Sequence, residues 1–281
     1  MTKVLILGDK LKGGTAEVVR EFEAWLSERV DSIETILDRD VPLEQVQADL
    51  ACVFGGDGSI LAAARRMGEN QMPTLGINLG RLGFLTTCGL SQATVAAEAA
   101  LAGELHEERL AMLACHVERH DGETTDSVRV LNDCVISRGD DASLVTLEAS
   151  RNGAEVATYS GDGLIVATPT GSTAYSLGAG GPVLAPDLEA VVLTPLASHS
   201  LALRPLVLPL AHELDIVVRE TGAVNGCPMD LDGQVSMRLS VGDRVCLRAS
   251  PVTFRHLAWR EDSFFQIFRE KFGWSDAPRL K

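Results

Sequence analysis

Between Leu50 and Ala64 the chain passes from five apolar residues, LACVF, through Gly-Gly-Asp-Gly-Ser and into ILAAA. An apolar run closed by glycines and resumed at helical spacing predicts a buried strand that turns directly into a helix. The same unit recurs on both sides. Val4–Leu7 reads as a buried strand, and Thr15 as the cap of a helix whose Val18, Val19, Phe22, Trp25 and Leu26 form an apolar stripe. Ile33–Leu37 and Pro73–Ile77 read as strands, Gly68 as the end of the helix carrying Ile60, Ala63, Ala64 and Met67, and Ser91–Leu101 as a further helix. Strands alternating with helices predict a doubly wound, Rossmann-like α/β domain.

From about residue 109 helical patterns disappear. Leu110–Glu118, Ser127–Ser137, Leu144–Ala149, Gly163–Ala167, Leu206–Leu210, Leu214–Val218, Val235–Leu239 and Arg244–Arg248 read as strands, and Asn152-Gly153 as a hairpin turn between SLVTLEAS and EVATYS. This half is predicted to be an antiparallel β domain. The tail DSFFQIFREKFGW is amphipathic and rich in phenylalanine, as expected of a segment that packs back on a neighbour. The chain has no internal repeat and no low-complexity linker.

A net charge of −14 argues against a nucleic-acid partner or an anionic membrane surface, since both require a basic footprint. There is no run of the roughly 18 apolar residues that a membrane span needs. The start, MTKVLILGDK, leads into a strand instead of a signal peptide, so a cytoplasmic protein with small-molecule partners is expected. The six cysteines are far apart, without a CxxC, and signal neither a zinc site nor a disulfide framework. His116 and His120 in HVERH read as a half-buried or exposed pair, not as metal ligands.

Three clusters carry chemistry. GGDGS, at a strand's carboxyl end and a helix N-terminus, suits a phosphate. Asp57 would repel that phosphate in a plain cradle, so it is expected either to hold a cation or to take a proton from an attacking hydroxyl. A tight turn with Asp57 or Ser59 as a helix cap is the plainer alternative. The run SGDGLIVATPTGSTAYSLGAGGP, Ser160–Pro182, offers hydroxyls, backbone donors and the ring of Tyr175 for a nucleotide. A polar loop beside a core tyrosine would look the same. Asn132-Asp133, adjacent polar residues inside an apolar strand pattern, point at least one side chain into a pocket or into an internal hydrogen bond.

In this order the three clusters resemble the NAD kinase family. Gly55–Ser59 matches its GGDG motif, which diacylglycerol, sphingosine and 6-phosphofructo-type kinases share. Asn132-Asp133 matches its Asn-Glu/Asp pair, and Asp162–Pro186 is similar nearly residue for residue to its most diagnostic stretch. RLGFLT at Arg81–Thr86, HSLALRPLVLP at His199–Pro209 and DGQ at Asp232–Gln234 also fit. Departures are small: Thr87 stands where the family is often acidic, and Leu196-Ala197-Ser198 precedes His199 where proline is common.

The resemblance implies an enzyme that moves the γ-phosphoryl of ATP, or in some members polyphosphate, to the 2′-hydroxyl of the adenosine ribose of NAD. It implies a divalent metal, magnesium, bound with ATP, and a homodimer or homotetramer. Residues 1–100 would form the α/β domain, rejoined by the terminal segment 252–281, and residues 101–251 a β-sandwich that binds NAD. Asp57 would take the hydroxyl proton, with Gly58 against the NAD. Asn132 and Asp133 would grip adenine and ribose, and Asp162 another polar end of the dinucleotide. Thr170, Thr173, Ala174, Tyr175 and Ser176 would line the adenine pocket, closed by Gln234. Arg81 and Arg204 are candidates for charge neutralisation. A lipid kinase sharing GGDG is disfavoured by the GSTAY loop and the negative charge; a nucleotide sensor without catalysis is disfavoured by Asp57.

Overall fold

The computed structural model describes residues 1–80, 83–139, 143–200, 202–222, 226–260 and 263–273. The first part alternates: β1 (Lys3–Leu7), α1 (Thr15–Leu26), β2 (Ser32–Ile36), β3 (Leu50–Phe54), α2 (Asp57–Met67), β4 (Thr74–Asn78), β5 (Cys88–Gly89), α3 (Ala93–Leu101) and β6 (His106–Leu110). Strands then follow one another: β7 (Leu113–Glu118), β8 (Val128–Val130), β9 (Asp133–Ser137), β10 (Val145–Arg151), β11 (Ala154–Gly161) and β12 (Gly163–Ala167). The short helix α4 (Tyr175–Gly178) precedes β13 (Ala190–Leu196), β14 (Leu206–Pro209), β15 (Leu214–Thr221), β16 (Cys227–Leu231), β17 (Val235–Leu239), β18 (Arg244–Ala249), β19 (Phe254–Ala258) and α5 (Ser263–Phe272). Among the described residues no helix is long and apolar enough to cross a membrane. The chain divides into two compact units, Met1–Arg109 with Phe254–Lys281, and Leu110–Thr253.

The first unit is built on a sheet of order β2-β1-β3-β4-β19-β6, with β5 beside β4. The pairings of β1 with β2 and β3, of β3 with β4, and of β4 with β5 and β19 are parallel. Every residue of β3 and β4 is buried, which is why these strands read as continuous apolar runs without alternation. Helix α1 buries Val19, Phe22 and Leu26. Thr15, expected as its cap, is instead its first residue: Gly14, at φ 81°, takes the cap position, and the Thr15 hydroxyl has no partner. In the tail, Phe264, Phe268 and Phe272 lie one helical turn apart on α5, with ring centroids 5.8, 6.4 and 6.0 Å from Phe84.

The second unit is a sandwich of two six-stranded antiparallel sheets, β11-β10-β15-β18-β7-β8 and β14-β13-β12-β9-β16-β17. Inward residues of both sheets share one core, including Val117, Leu147 and Ile216 from the first and Ile136, Leu164 and Met229 from the second. The hairpin at Asn152-Gly153 has φ values of 49° and 78°, the left-handed pair that a two-residue turn between twisted strands demands. Two expected strands are each two strands. Leu110–Glu118 breaks at Ala111-Met112 because β6 belongs to the parallel sheet and β7 to the sandwich. Ser127–Ser137 breaks at Leu131-Asn132 because β8 and β9 lie in different sheets. Strands β13, β16 and β19 are not among the expected strands, although the sequence sets Asn225-Gly226 and Asp232-Gly233 on either side of β16.

Asp243, in the turn before β18, is fully buried. Its carboxylate accepts the backbone N–H of Ser240 and of His120, both at 2.9 Å, and the Arg119 guanidinium at 2.8 Å. Burial alone would raise its pKa, but these donors hold it down to about 2. We expect Asp243→Ala to lower stability by about 3 kcal/mol in chemical denaturation, the loss typical of breaking a buried pair; a change below about 0.5 kcal/mol would mean the turn is held by other contacts.

Candidate active site

In the first unit β3 ends at Phe54, and α2 begins at Asp57. Asp57 does not cap its own helix. Its carboxylate reaches the loop after β4, where Oδ2 accepts the N–H of Phe84 at 2.9 Å and Oδ1 that of Leu85 at 3.0 Å. Gly83 permits this approach, since a Cβ there would lie 1.7 Å from Asp57 Oδ1. The loop is tied in turn by Thr86, whose hydroxyl accepts the N–H of Gly83 at 2.8 Å. On the other side the backbone is open: nothing lies within 4 Å of a Cβ built on Gly56 or Gly58, and Gly58 is exposed. The result is an oriented carboxylate at a helix N-terminus, beside bare backbone that a ligand can approach. Thr87, the departure from the family pattern, is a structural residue: its buried hydroxyl donates to the Leu257 carbonyl at 2.5 Å and joins β4 to β19. Arg81 lies outside the described residues.

In the second unit the chain leaves one sheet at Val130 and enters the other at Asp133, so Asn132 stands in the crossover and not on a strand. The freed backbone donors are gathered by Asp232, which accepts the N–H of Leu131 at 2.9 Å, Asn132 at 2.7 Å and Asp133 at 3.1 Å. Asp232 returns its own N–H to the Asp133 carbonyl at 2.9 Å. The Asn132 Oδ1 is buried without a hydrogen-bond partner, an acceptor that a bound amine or hydroxyl would satisfy. Asp133 is buried, and burial first, then the neighbouring Asp232 carboxylate, raises its pKa from 3.8 to about 7.

Strand β12 delivers the polar loop to the same place. Thr168, just past its end, donates N–H to the Asn132 carbonyl at 2.8 Å and its hydroxyl to the Leu131 carbonyl at 2.5 Å. Gly171 packs so closely that a Cβ would sit 2.1 Å from the Asn132 carbonyl oxygen. Thr170 and Thr173 follow in a single helical turn, and Ala174 and Tyr175 are exposed, Tyr175 by 54%. Ser176 differs from its neighbours: its side chain is fully buried and its hydroxyl pairs with Thr194 at 2.8 Å. Gln234 follows the Asp232-Gly233 turn and donates its N–H to the Leu231 carbonyl at 2.9 Å. Asp162 is not part of this group. It lies at the other end of β12, five residues or roughly 17 Å away along the strand, bonded to Arg138 Nε at 2.7 Å. Arg204 donates to the Leu203 carbonyl at 2.8 Å.

Sequence reasoning missed Asp232, Thr168 and Gly83 as organising residues. An Asp-Gly turn was readable at Asp232-Gly233, but the three amides it serves are a hundred residues earlier.

Comparison with known proteins matches residues 37–105 to the ATP-NAD kinase N-terminal domain and residues 131–258 to the ATP-NAD kinase C-terminal domain. The NAD kinase of Geobacter sulfurreducens is 40% identical over 254 residues, 90% of this chain and 87% of its own. That of Desulforamulus reducens is 36% identical over 282 residues, covering 96% and 97%. Among solved structures, yeast NADH kinase complexed with NADH superposes with a TM-score of 0.89 at 25% identity, over 100% of this chain and 90% of that one. An NAD kinase from Archaeoglobus fulgidus in complex with ATP gives 0.75 at 25% identity, over 95% and 97%. With matches to both domains and full-length relatives at this identity, the chain belongs to the NAD kinase family.

Proposed function

We propose that the chain transfers the γ-phosphoryl group of ATP to the 2′-hydroxyl of the adenosine ribose of NAD, giving NADP and ADP. The new bond joins the 2′-oxygen to the γ-phosphorus, the bond to the β,γ-bridging oxygen breaks, and the hydroxyl proton passes to Asp57. The observation that carries this reading is the fixed carboxylate of Asp57 beside open glycine backbone. A ribose hydroxyl is a weak nucleophile at neutral pH, so a held base and exact placement are what a protein can add.

Asn132 and Asp133 are assigned to the adenosine. The unpartnered Asn132 Oδ1 suits an amine or hydroxyl donor, and Asp133 titrates where it can either donate or accept. Tyr175 offers an exposed face for the adenine, framed by Thr170, Thr173, Ala174 and Gln234, with Gly58 against the dinucleotide. Ser176 contributes through its backbone, since its hydroxyl is held by Thr194. Asp162, paired with Arg138, is assigned to a different polar part of the bound molecule. Gly55–Ser59 and Asp162–Pro186 contain neither lysine nor arginine, which fits a donor that brings its own cation. Magnesium, entering as part of the ATP complex, neutralises the β- and γ-phosphates. A cytoplasmic homodimer or homotetramer completes the proposal.

Three outcomes follow from these assignments. With ATP, magnesium and NAD, Asp57→Asn forms NADP about 10²–10⁴ times more slowly while still binding NAD; unchanged turnover would remove Asp57 as the base. Tyr175→Ala weakens NAD binding by about 1 kcal/mol, read by calorimetry, and equal affinity would take the ring out of the pocket. Because the pKa of Asp133 is raised on folding, its contribution is fully present below about pH 4 and is lost as pH rises to about 7, at roughly 1.4 kcal/mol per unit at most. Wild type should therefore lose stability relative to Asp133→Asn over that range, and parallel melting curves would contradict the assignment.

A further inference from the structure

Outside the groups assigned above, the described residues bring together one set of three side chains able to ligate a metal. The ligand atoms of His116, Glu118 and Cys246 all lie within 4.8 Å of one another. Their meeting follows from strand register. Cys246 on β18 pairs with His116 on β7, and Glu118 is two residues further along β7, on the same face of the sheet. The core face of these strands is occupied by Val117, Val245 and Leu247, so His116, Glu118 and Cys246 belong to the outer face. On the far side Cys246 pairs with Asp215 of β15, whose carboxylate accepts from the Arg248 guanidinium at 2.9 Å. Asp215, Cys246 and His116 thus form a row across three adjacent strands.

We propose that His116, Glu118 and Cys246 form a binding site for zinc, with water in the fourth position. A thiolate with an imidazole selects zinc over magnesium or calcium, which prefer oxygen ligands only. Zinc bonds of about 2.0–2.3 Å put tetrahedral ligand atoms roughly 3.5 Å apart, so modest side-chain rotations close the present group around an ion. Cys246 is buried beside the Glu118 carboxylate, and a divalent cation here favours the thiolate, the thiol proton leaving to solvent as the metal binds. Glu118 is otherwise engaged by a 3.5 Å contact to Arg244, with both side chains about half exposed, a weak pair that gives way to a metal bond. The ligands come from positions 130 residues apart, so no spacing motif announces them.

The test is a cobalt titration of the full-length, metal-stripped protein, because a cobalt–thiolate bond produces a charge-transfer band that neither magnesium nor carboxylate ligands give. We expect one equivalent of cobalt to raise the band, zinc to abolish it, and millimolar magnesium to leave it unchanged. Cys246→Ser should remove it. Glu118→Gln, at an exposed position with little risk to folding, should weaken cobalt binding about tenfold or more. Cys134→Ser, in the core beside Cys115, should leave the band intact. Absence of a band in the wild-type protein, a band that survives Cys246→Ser, or unchanged affinity in Glu118→Gln would overturn the site.

Discussion

The grip of two backbone amides on the Asp57 carboxylate is the interaction on which the proposed chemistry of the first unit rests. A carboxylate at the start of a helix commonly satisfies that helix's own amides. Here it is drawn away to Phe84 and Leu85, so its position is set by the loop after β4 and not by α2 alone. Gly83 makes room for it, and Thr86 fixes the loop. The ring of Phe84 is packed by the phenylalanines of α5, so the terminal helix reaches the acid through a single peptide unit.

The second unit solves a different problem. Its sandwich requires the chain to pass from one sheet to the other, and every such crossover frees backbone groups that must find partners. Asp232 supplies them for Leu131, Asn132 and Asp133, and Thr168 fastens the next loop to the same crossover. The polar groups proposed to meet a ligand are therefore those at a break in the β structure, tied down by the side chains of Asp232 and Thr168. The cost is a pair of neighbouring carboxylates, Asp133 and Asp232, and the raised pKa of Asp133 records it.

Much of this was legible in the sequence. The β3–α2 unit was visible because buried parallel strands and amphipathic helices carry different periodicities, and the hairpin at Asn152-Gly153 because its backbone angles restrict the residues allowed. The split of Ser127–Ser137 was not, since each half is a sound strand and only the partner sheet differs. Asp57, Asn132 and Tyr175 were singled out through local pattern and family resemblance. The Phe84 and Leu85 amides were not, because a backbone donor leaves no trace in residue identity. Ser176 shows the reverse: inside a motif of exposed residues, one hydroxyl is turned inward to Thr194.

The most direct test of the central claim is a crystal structure of the protein with NAD bound, in which the separation between the Asp57 carboxylate and the 2′-oxygen of the adenosine ribose is measured. The account predicts a separation within hydrogen-bond reach, about 2.6–3.2 Å, with the Phe84 and Leu85 amides still on the carboxylate. A ribose bound elsewhere, with no water linking its 2′-oxygen to Asp57, would contradict it.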